Sequence, residues 1–244
     1  VWCVSETIYK DKTNSAASSK YLPDGWGELC QRYGHSYAEV GGNRDNYPQT
    51  VTSKYPVKVV KRFTTTNESG KNISHGAGHF TITKDGKKIN IVTMHMWPQS
   101  YSPSVPTAER EESTANGGGD IYRAFEVQYL VDQTVNNPKY AGEKYWLVGG
   151  DTNSWSRLDN WFYGYDVNST RFLAHDIFLE QTNLKDVIGH RYPGCFISSS
   201  FGSGRRIDII YASPEMYRLL DNSMVVLDEW TGPTVKSSYY SSFH

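Results

Sequence analysis

The chain lacks any apolar run near the roughly 20 residues that a bilayer-spanning helix needs, and no cleavable signal sequence is visible, so it reads as soluble. It also lacks a basic excess: 25 Lys and Arg stand against 26 Asp and Glu, a net of −1. That balance argues against a general nucleic-acid binder and requires any nucleic-acid substrate to be held locally. Cysteine is scarce. Cys3, Cys30 and Cys195 lie far apart with no CxxC spacing, which leaves a zinc site or redox motif unsupported and allows at most one disulfide. An odd count suits either a reducing cytoplasm or a secreted protein with a free buried thiol. Internal repeats, long low-complexity tracts and obvious linkers are absent too. The 244 residues, 38% apolar and 14% aromatic, are therefore expected to form one domain over residues 1–244 around a single large core.

What is present is a series of short strand patterns. "YLPDGWGELCQRYG" reads as a short helix, with Asp24 as N-cap, Trp26, Leu29 and Cys30 at helical spacing and Gly34 as the stop. "SYAEV", "QTVTSKYPVKVVKRFTTT", "HGAGHFTIT" and "KINIVTMHM" alternate or run apolar, and Asp85-Gly86 between two of them predicts a hairpin. From Pro106 to about Asn137 the spacing predicts helix, broken at "NGGG" (116–119), with Phe125, Leu130 and Val131 on its apolar face. Strands return at "KYWLVGG" and "RRIDIIYAS", with a loop-rich aromatic stretch between them. Strands first and then helices interleaved with strands predict an α/β or α+β layered sandwich.

The chemistry concentrates where strand patterns end. In "WLVGGDTNSW" (146–155) an apolar run, read as a strand buried on both faces, gives way to two glycines, an acid and an amide. Gly149 and Gly150 allow a close backbone approach to a ligand. Asp151 and Asn153 would face one side if the extended geometry continued, a pairing suited to activating water and holding an oxyanion. The same residues also fit an Asx-turn that only caps the strand. Other runs end alike: "WCVSE" on Glu6 and "NIVTMH" on His95, while "GRRIDIIYAS" carries Asp208 after Arg205 and Arg206. Singly, Glu6 reads as a surface acid, His95 as a core histidine and Asp208 as a partner for an arginine. Four strand ends that together supply acids, an amide and an imidazole point to a site, because a buried acid is costly unless paired or functional.

Taken in order, "VWCVSE", "TVTSKYPV", "IVTMHM", "GGDTNS" and "RRIDIIYAS" resemble the motifs of the endonuclease/exonuclease/phosphatase superfamily of metal-dependent phosphoesterases, from about Val1 to about Ser213. The resemblance implies a four-layer sandwich of two packed, mainly antiparallel sheets flanked by helices. It implies Mg²⁺ on Glu6, with Mn²⁺ or Ca²⁺ as alternatives, because a hard cation prefers carboxylate oxygen. It gives Asp151 the attacking water and Asn153 a phosphoryl oxygen, places His95 near the scissile phosphate, and has Asp208 orient a further histidine. Two departures accompany it. The family's first strand, with its metal-proximal asparagine, is expected before Val1. Its closing Ser-Asp-His is expected beyond the end, where this chain reads Ser242-Phe243-His244, unless His244 is a degenerate substitute.

The expected substrate is a phosphoester in a nucleic acid, a lipid headgroup or a sugar phosphate. Trp97 and Trp155, in the loops after His95 and Asn153, together with Arg205 and Arg206, are the expected substrate-side residues. Trp155 and its aromatic neighbours equally fit a small core under a long loop. His75 and His79, four apart in "SHGAGHF", have glycines between them that argue against a metal pair. His35, His175 and His190 have no partner legible in the sequence. The chain is expected to be a monomer without stable membrane insertion, and its composition and trimmed-looking start lean towards a secreted or periplasmic protein. The competing class is a phosphoesterase-like fold without catalysis that binds a glycan, lipid headgroup or protein.

Overall fold

The computed structural model describes residues 1–5, 30–42, 48–64, 73–197 and 204–221. Asp24, Glu6 and His244 lie outside these residues, so the expectations placed on them are not addressed by the fold. Nine strands form two sheets among the described residues. β1 (Trp2–Val4), β2 (Tyr37–Gly41) and β3 (Gln49–Ser53) make a three-stranded antiparallel sheet in the order β1-β3-β2. The larger sheet contains β4 (Lys58–Phe63), β5 (Ala77–Lys84), β6 (Lys87–His95), β7 (Tyr145–Asp151), β8 (Lys185–Asp186) and β9 (Asp208–Ala212), in the order β4-β5-β6-β7-β9-β8. Its β6–β7 pair alone is parallel, and the helical segment between those strands is the crossover that a parallel pair requires.

Six α-helices accompany the sheets among the described residues: α1 (Arg110–Ala115), α2 (Gly118–Gln133), α3 (Asn160–Tyr163), α4 (Leu173–Glu180), α5 (Val187–Arg191) and α6 (Pro214–Arg218). Of the expected break at 116–119, residues 116 and 117 separate α1 from α2, and Gly118 and Gly119 already belong to α2. Gly34, the expected stop, follows the helical turn at Cys30 and Gln31 in the left-handed region, with φ 76°. The β5–β6 hairpin turns on Asp85 (φ 50°) and Gly86 (φ 71°); two successive positive φ angles match the twist of the strands, and glycine takes the second without strain.

Alternation along each strand sorts the side chains into two cores. Val92 and Met94 of β6 and Trp146 and Val148 of β7 pack with Val127, Leu130 and Val131 of α2 and Ala174, Ile177 and Phe178 of α4. On the opposite face, Phe80, Ile82 and Ile91 meet Val51 of the smaller sheet. The helix phase differs from the expected one at a single residue. Phe125 is 68% exposed, and the buried stripe runs through Arg123, Glu126, Val127, Leu130 and Val131. Hydrophobicity alone could not assign the inward face, because two ionisable side chains occupy it.

β7 is also less enclosed than an all-apolar run suggests. Trp146 and Val148 are buried under the helices, whereas Leu147 and Gly149 are half-buried and line a cleft of about 370 Å³ shared with Cys3, Val4, Ser5, Asp208 and Ile210. This cleft lies between the end of β1 and the β7–β9 pair, so it leads to the rim where the strand-end acids gather.

Candidate active site

Register builds the site. β6 pairs His95 with Asp151 of β7, and β7 pairs Asp151 with Asp208 of β9, so three residues from distant stretches stand in one row across adjacent strands. In-register neighbours point to the same face, here the one that carries Ile91 and looks towards the smaller sheet. His95 Nε2 lies 3.7 Å from Asp151 Oδ2, with both side chains nearly fully buried. Asp208 is half-buried at the rim of the cleft.

Asn153 reaches the same place by a turn rather than by continued extension. Its own N–H donates to Asp151 Oδ1 at 2.8 Å, its φ is 48°, and its amide Nδ2 donates to the Met96 carbonyl at 3.1 Å. The Asx-turn therefore exists, and it orients both the carboxylate and the amide at the rim. Gly150 permits the approach that precedes it. Its φ is 142°, and a Cβ there would run into the Met94 carbonyl of β6. We expect Gly150→Ala to cost about 1–3 kcal/mol in denaturant unfolding from the backbone conformation alone. A loss below 0.5 kcal/mol, on the order of a neutral surface change, would contradict this reading.

The aromatic and basic residues flank this row. Trp97, two residues after His95, donates Nε1–H to the Tyr101 carbonyl at 2.6 Å and packs edge-on against Tyr101 and Tyr122. Trp155 carries the guanidinium of Arg171 at 4.8 Å and that of exposed Arg205 at 5.7 Å from its ring, so a cationic, aromatic surface follows the Asp151–Asn153 turn.

Arg206 departs from the sequence expectation. It is 1% exposed, and its guanidinium binds Asp186 through two nitrogens at 2.8 and 2.7 Å and Asp159 at 2.7 Å. Burial by itself would lower its pKa, but the Asp186 and Asp159 carboxylates outweigh that and hold the cation above its usual range. A guanidinium with both edges taken by buried acids has no face for a substrate. Arg206 instead braces the loop after Asn153 to β8, immediately before the strand that carries Asp208.

Three site residues escaped the sequence reading. The His75 ring lies against the His95 ring, with centroids 4.4 Å apart and planes at 32°. His79 sits apart from this pair, on the helix-side face, hydrogen-bonded to Asn90 at 2.8 Å and packed on Trp146. Arg123 of α2 donates Nε–H to Ser154 Oγ at 3.1 Å and Nη1 to the Trp97 and Gln99 carbonyls at 2.8 and 2.9 Å, and it pairs with Asp120. Glu126, 1% exposed, accepts the Ser74 N–H at 2.5 Å and the Trp97 N–H at 2.8 Å. The signal for Arg123 and Glu126 was charge inside an otherwise apolar helical stripe.

The remaining histidines found partners that sequence could not show. His175 is buried against the Tyr211 hydroxyl, His35 Nδ1 meets Thr52 Oγ1 at 2.9 Å, and His190 Nδ1 meets the Asp186 carbonyl at 2.9 Å.

Burial pushes the Glu126 carboxyl up to about 7 against the opposing pull of its Ser74 and Trp97 hydrogen bonds and of Arg123. Its pKa is raised in the folded state, so between the ordinary carboxylate range and about pH 7 the folded protein holds a proton that the unfolded chain has released. Its contribution to stability is therefore largest at low pH and declines as pH rises through that window. Unfolding free energies of wild type and Glu126→Gln, measured from pH 5 to 8, should drift apart in the variant's favour by on the order of 1 kcal/mol per pH unit up to about pH 7 and level off above it. A constant difference would refute the shift.

Two sheets with helices around them, and an acid, amide and imidazole row on the rim of the larger sheet, define a layered α/β protein. The chain has the endonuclease/exonuclease/phosphatase fold. The human Nocturnin catalytic domain with bound sulfate is similar at a TM-score of 0.52 and 13% identity, over 87% of this chain and 68% of that one. An endonuclease/exonuclease/phosphatase family protein from Leptotrichia buccalis C-1013-b matches at 0.46 and 14% identity, over 87% and 75%. D. rerio TDP2, humanized by 14 mutations, matches at 0.47 and 12%, over 79% and 66%. No family model and no curated protein matches the sequence.

Proposed function

We propose that the chain is a divalent-cation-dependent phosphoesterase that cleaves a phosphodiester or phosphomonoester by in-line attack of water. The observation that carries this reading is the register row His95–Asp151–Asp208 with Asn153 turned onto the same rim, on a fold similar to a solved catalytic domain.

The donor chemistry fits a hard cation. Asp151 and Asp208 are register neighbours on β7 and β9, which sets carboxylate oxygens, the donors a hard cation prefers, on adjacent strands. Ser5, the residue before Glu6, lines the same cleft as Asp208. Among the described residues no group of three ligating side chains forms, and Glu6 lies outside them. Glu6 with the rim carboxylates would hold the ion; Mg²⁺ is the first choice, with Mn²⁺ and Ca²⁺ as alternatives. When bound, the ion neutralises charge on the non-bridging and leaving oxygens.

The protein's own groups do the rest. Asp151 takes a proton from the attacking water as the new P–O bond forms and the bond to the leaving oxygen breaks. The Asn153 amide donates to a phosphoryl oxygen, and His95, held against Asp151, faces the same phosphate. Asp208 orients the histidine that protonates the leaving group, a role open to His244 or to a residue beyond it. Arg205 and Trp155 form the substrate side after β7, and Trp97 the side after β6.

The test is hydrolysis of bis-p-nitrophenyl phosphate and p-nitrophenyl phosphate with Mg²⁺, with chelator, and in Asp151→Ala. Turnover that requires both the cation and Asp151 supports the proposal, and the preferred ester narrows the substrate class. Absence of turnover would overturn it in favour of a binding module, and turnover indifferent to both would overturn the roles given to the cation and to Asp151.

A further inference from the structure

Glu126 occupies a position that burial alone would fill with an apolar residue. It lies in the inward stripe of α2, between Arg123 and Leu130, next to Val127, and is 1% exposed. An isolated carboxylate there costs several kcal/mol, so its retention needs a reason in its contacts. Those contacts are the Ser74 hydroxyl and two main-chain amides from different loops. Oε1 accepts the N–H of Ser74, the residue before His75, and Oε2 accepts the N–H of Trp97, two residues after His95. The two loops carry the two imidazoles whose rings meet at 4.4 Å.

We infer that Glu126 is a positioning residue of this site: its carboxylate clamps the His75 loop to the His95 loop and thereby sets the imidazole pair against Asp151. Several observations converge on this role. The Ser74–His75–Gly76 segment is held from its other side as well, because the His75 carbonyl accepts Gln49 Nε2–H at 3.1 Å and the Gly76 carbonyl accepts the His95 N–H at 3.3 Å. The carboxylate adds a further lateral tie between the two loops. One turn earlier, Arg123 binds the carbonyls of Trp97 and Gln99 and the hydroxyl of Ser154, so a single helix face indexes the loop after His95 to the loop after Asp151.

Chemistry further selects glutamate over its amide. Two converging N–H donors require two acceptor oxygens, and a glutamine has one, so its NH₂ would be driven against the second amide.

The activity part of the test rests on the phosphoesterase reading, and the spectroscopic part does not. Full-length Glu126→Gln and Glu126→Leu would be compared with wild type in kcat and KM on a p-nitrophenyl phosphoester with Mg²⁺, in thermal unfolding, and in the imidazole ring resonances of His75 and His95 by NMR. The expected result is a kcat about 10- to 100-fold lower with KM little changed, together with displaced imidazole resonances, in a variant that still unfolds cooperatively. Glu126→Gln has the size of the native residue and carries the test if Glu126→Leu fails to fold. Wild-type kcat and unmoved imidazole resonances in Glu126→Gln would overturn the inference. If wild type itself shows no turnover, the phosphoesterase reading fails, and the resonances alone decide: displacement supports the clamp and identity refutes it.

Discussion

Asp151→Asn is expected to reduce cation-supported phosphoester turnover by about 10²- to 10⁴-fold, the range that a positioned general base contributes, while leaving the protein folded. The substitution keeps shape and one acceptor oxygen. The Asn153 N–H, now bound to Asp151 Oδ1 at 2.8 Å, therefore retains its partner and the Asx-turn persists. What disappears is charge: the proton acceptor for water and the anion facing His95 at 3.7 Å. With that turn intact, the midpoint of thermal unfolding should stay close to that of wild type. The measurement is kcat/KM beside a melting curve. Retained turnover in a well-folded variant would remove Asp151 from the chemistry, whereas lost turnover with lost folding would require the same comparison at Asn153.

The largest expected effect on stability belongs to Arg206. Arg206→Met removes the one cation between Asp159 and Asp186 and leaves two buried acids facing each other, a change worth about 3–5 kcal/mol. Against the roughly 5–15 kcal/mol that holds a domain folded, this is a large share. Lysine should recover only part, because one ammonium cannot reproduce the two-edged contact with Asp186 and Asp159. Replacing all three residues by apolar ones of similar volume is expected to recover most of the loss, since the cost of breaking such a cluster is mainly that of the charges left behind. Urea unfolding of the single, lysine and triple variants checks the order; a loss under about 1 kcal/mol for Arg206→Met would place the guanidinium outside any structural role.

The two arginines at 205 and 206 show how far local sequence reaches. Both precede Asp208, and each could have served a phosphate or an acid. Arg206 turned into the loop core because Asp159, some 47 positions earlier, and Asp186, 20 earlier, converge there. Arg205 stayed exposed beside Trp155. The helix of residues 118–133 makes the same point. Its existence and its break at the glycines followed from spacing, but its inward face did not, because Arg123 and Glu126 are buried by hydrogen bonds that no periodicity scale counts as favourable.

By itself, the sequence determined the strand order along the chain, the Asp85-Gly86 hairpin, and the gathering of acids, amide and imidazole at strand ends, because these depend on alternation, turn chemistry and the few residues that bear charge in apolar runs. Only the tertiary structure decided that His95, Asp151 and Asp208 share one row, that the His75 ring lies against that of His95, and that Glu126 and Arg206 find their partners in distant segments. Those facts depend on which strands become neighbours, in which register, and on which distant acids satisfy a buried cation. Such long-range pairings are selected by the packing of the whole core.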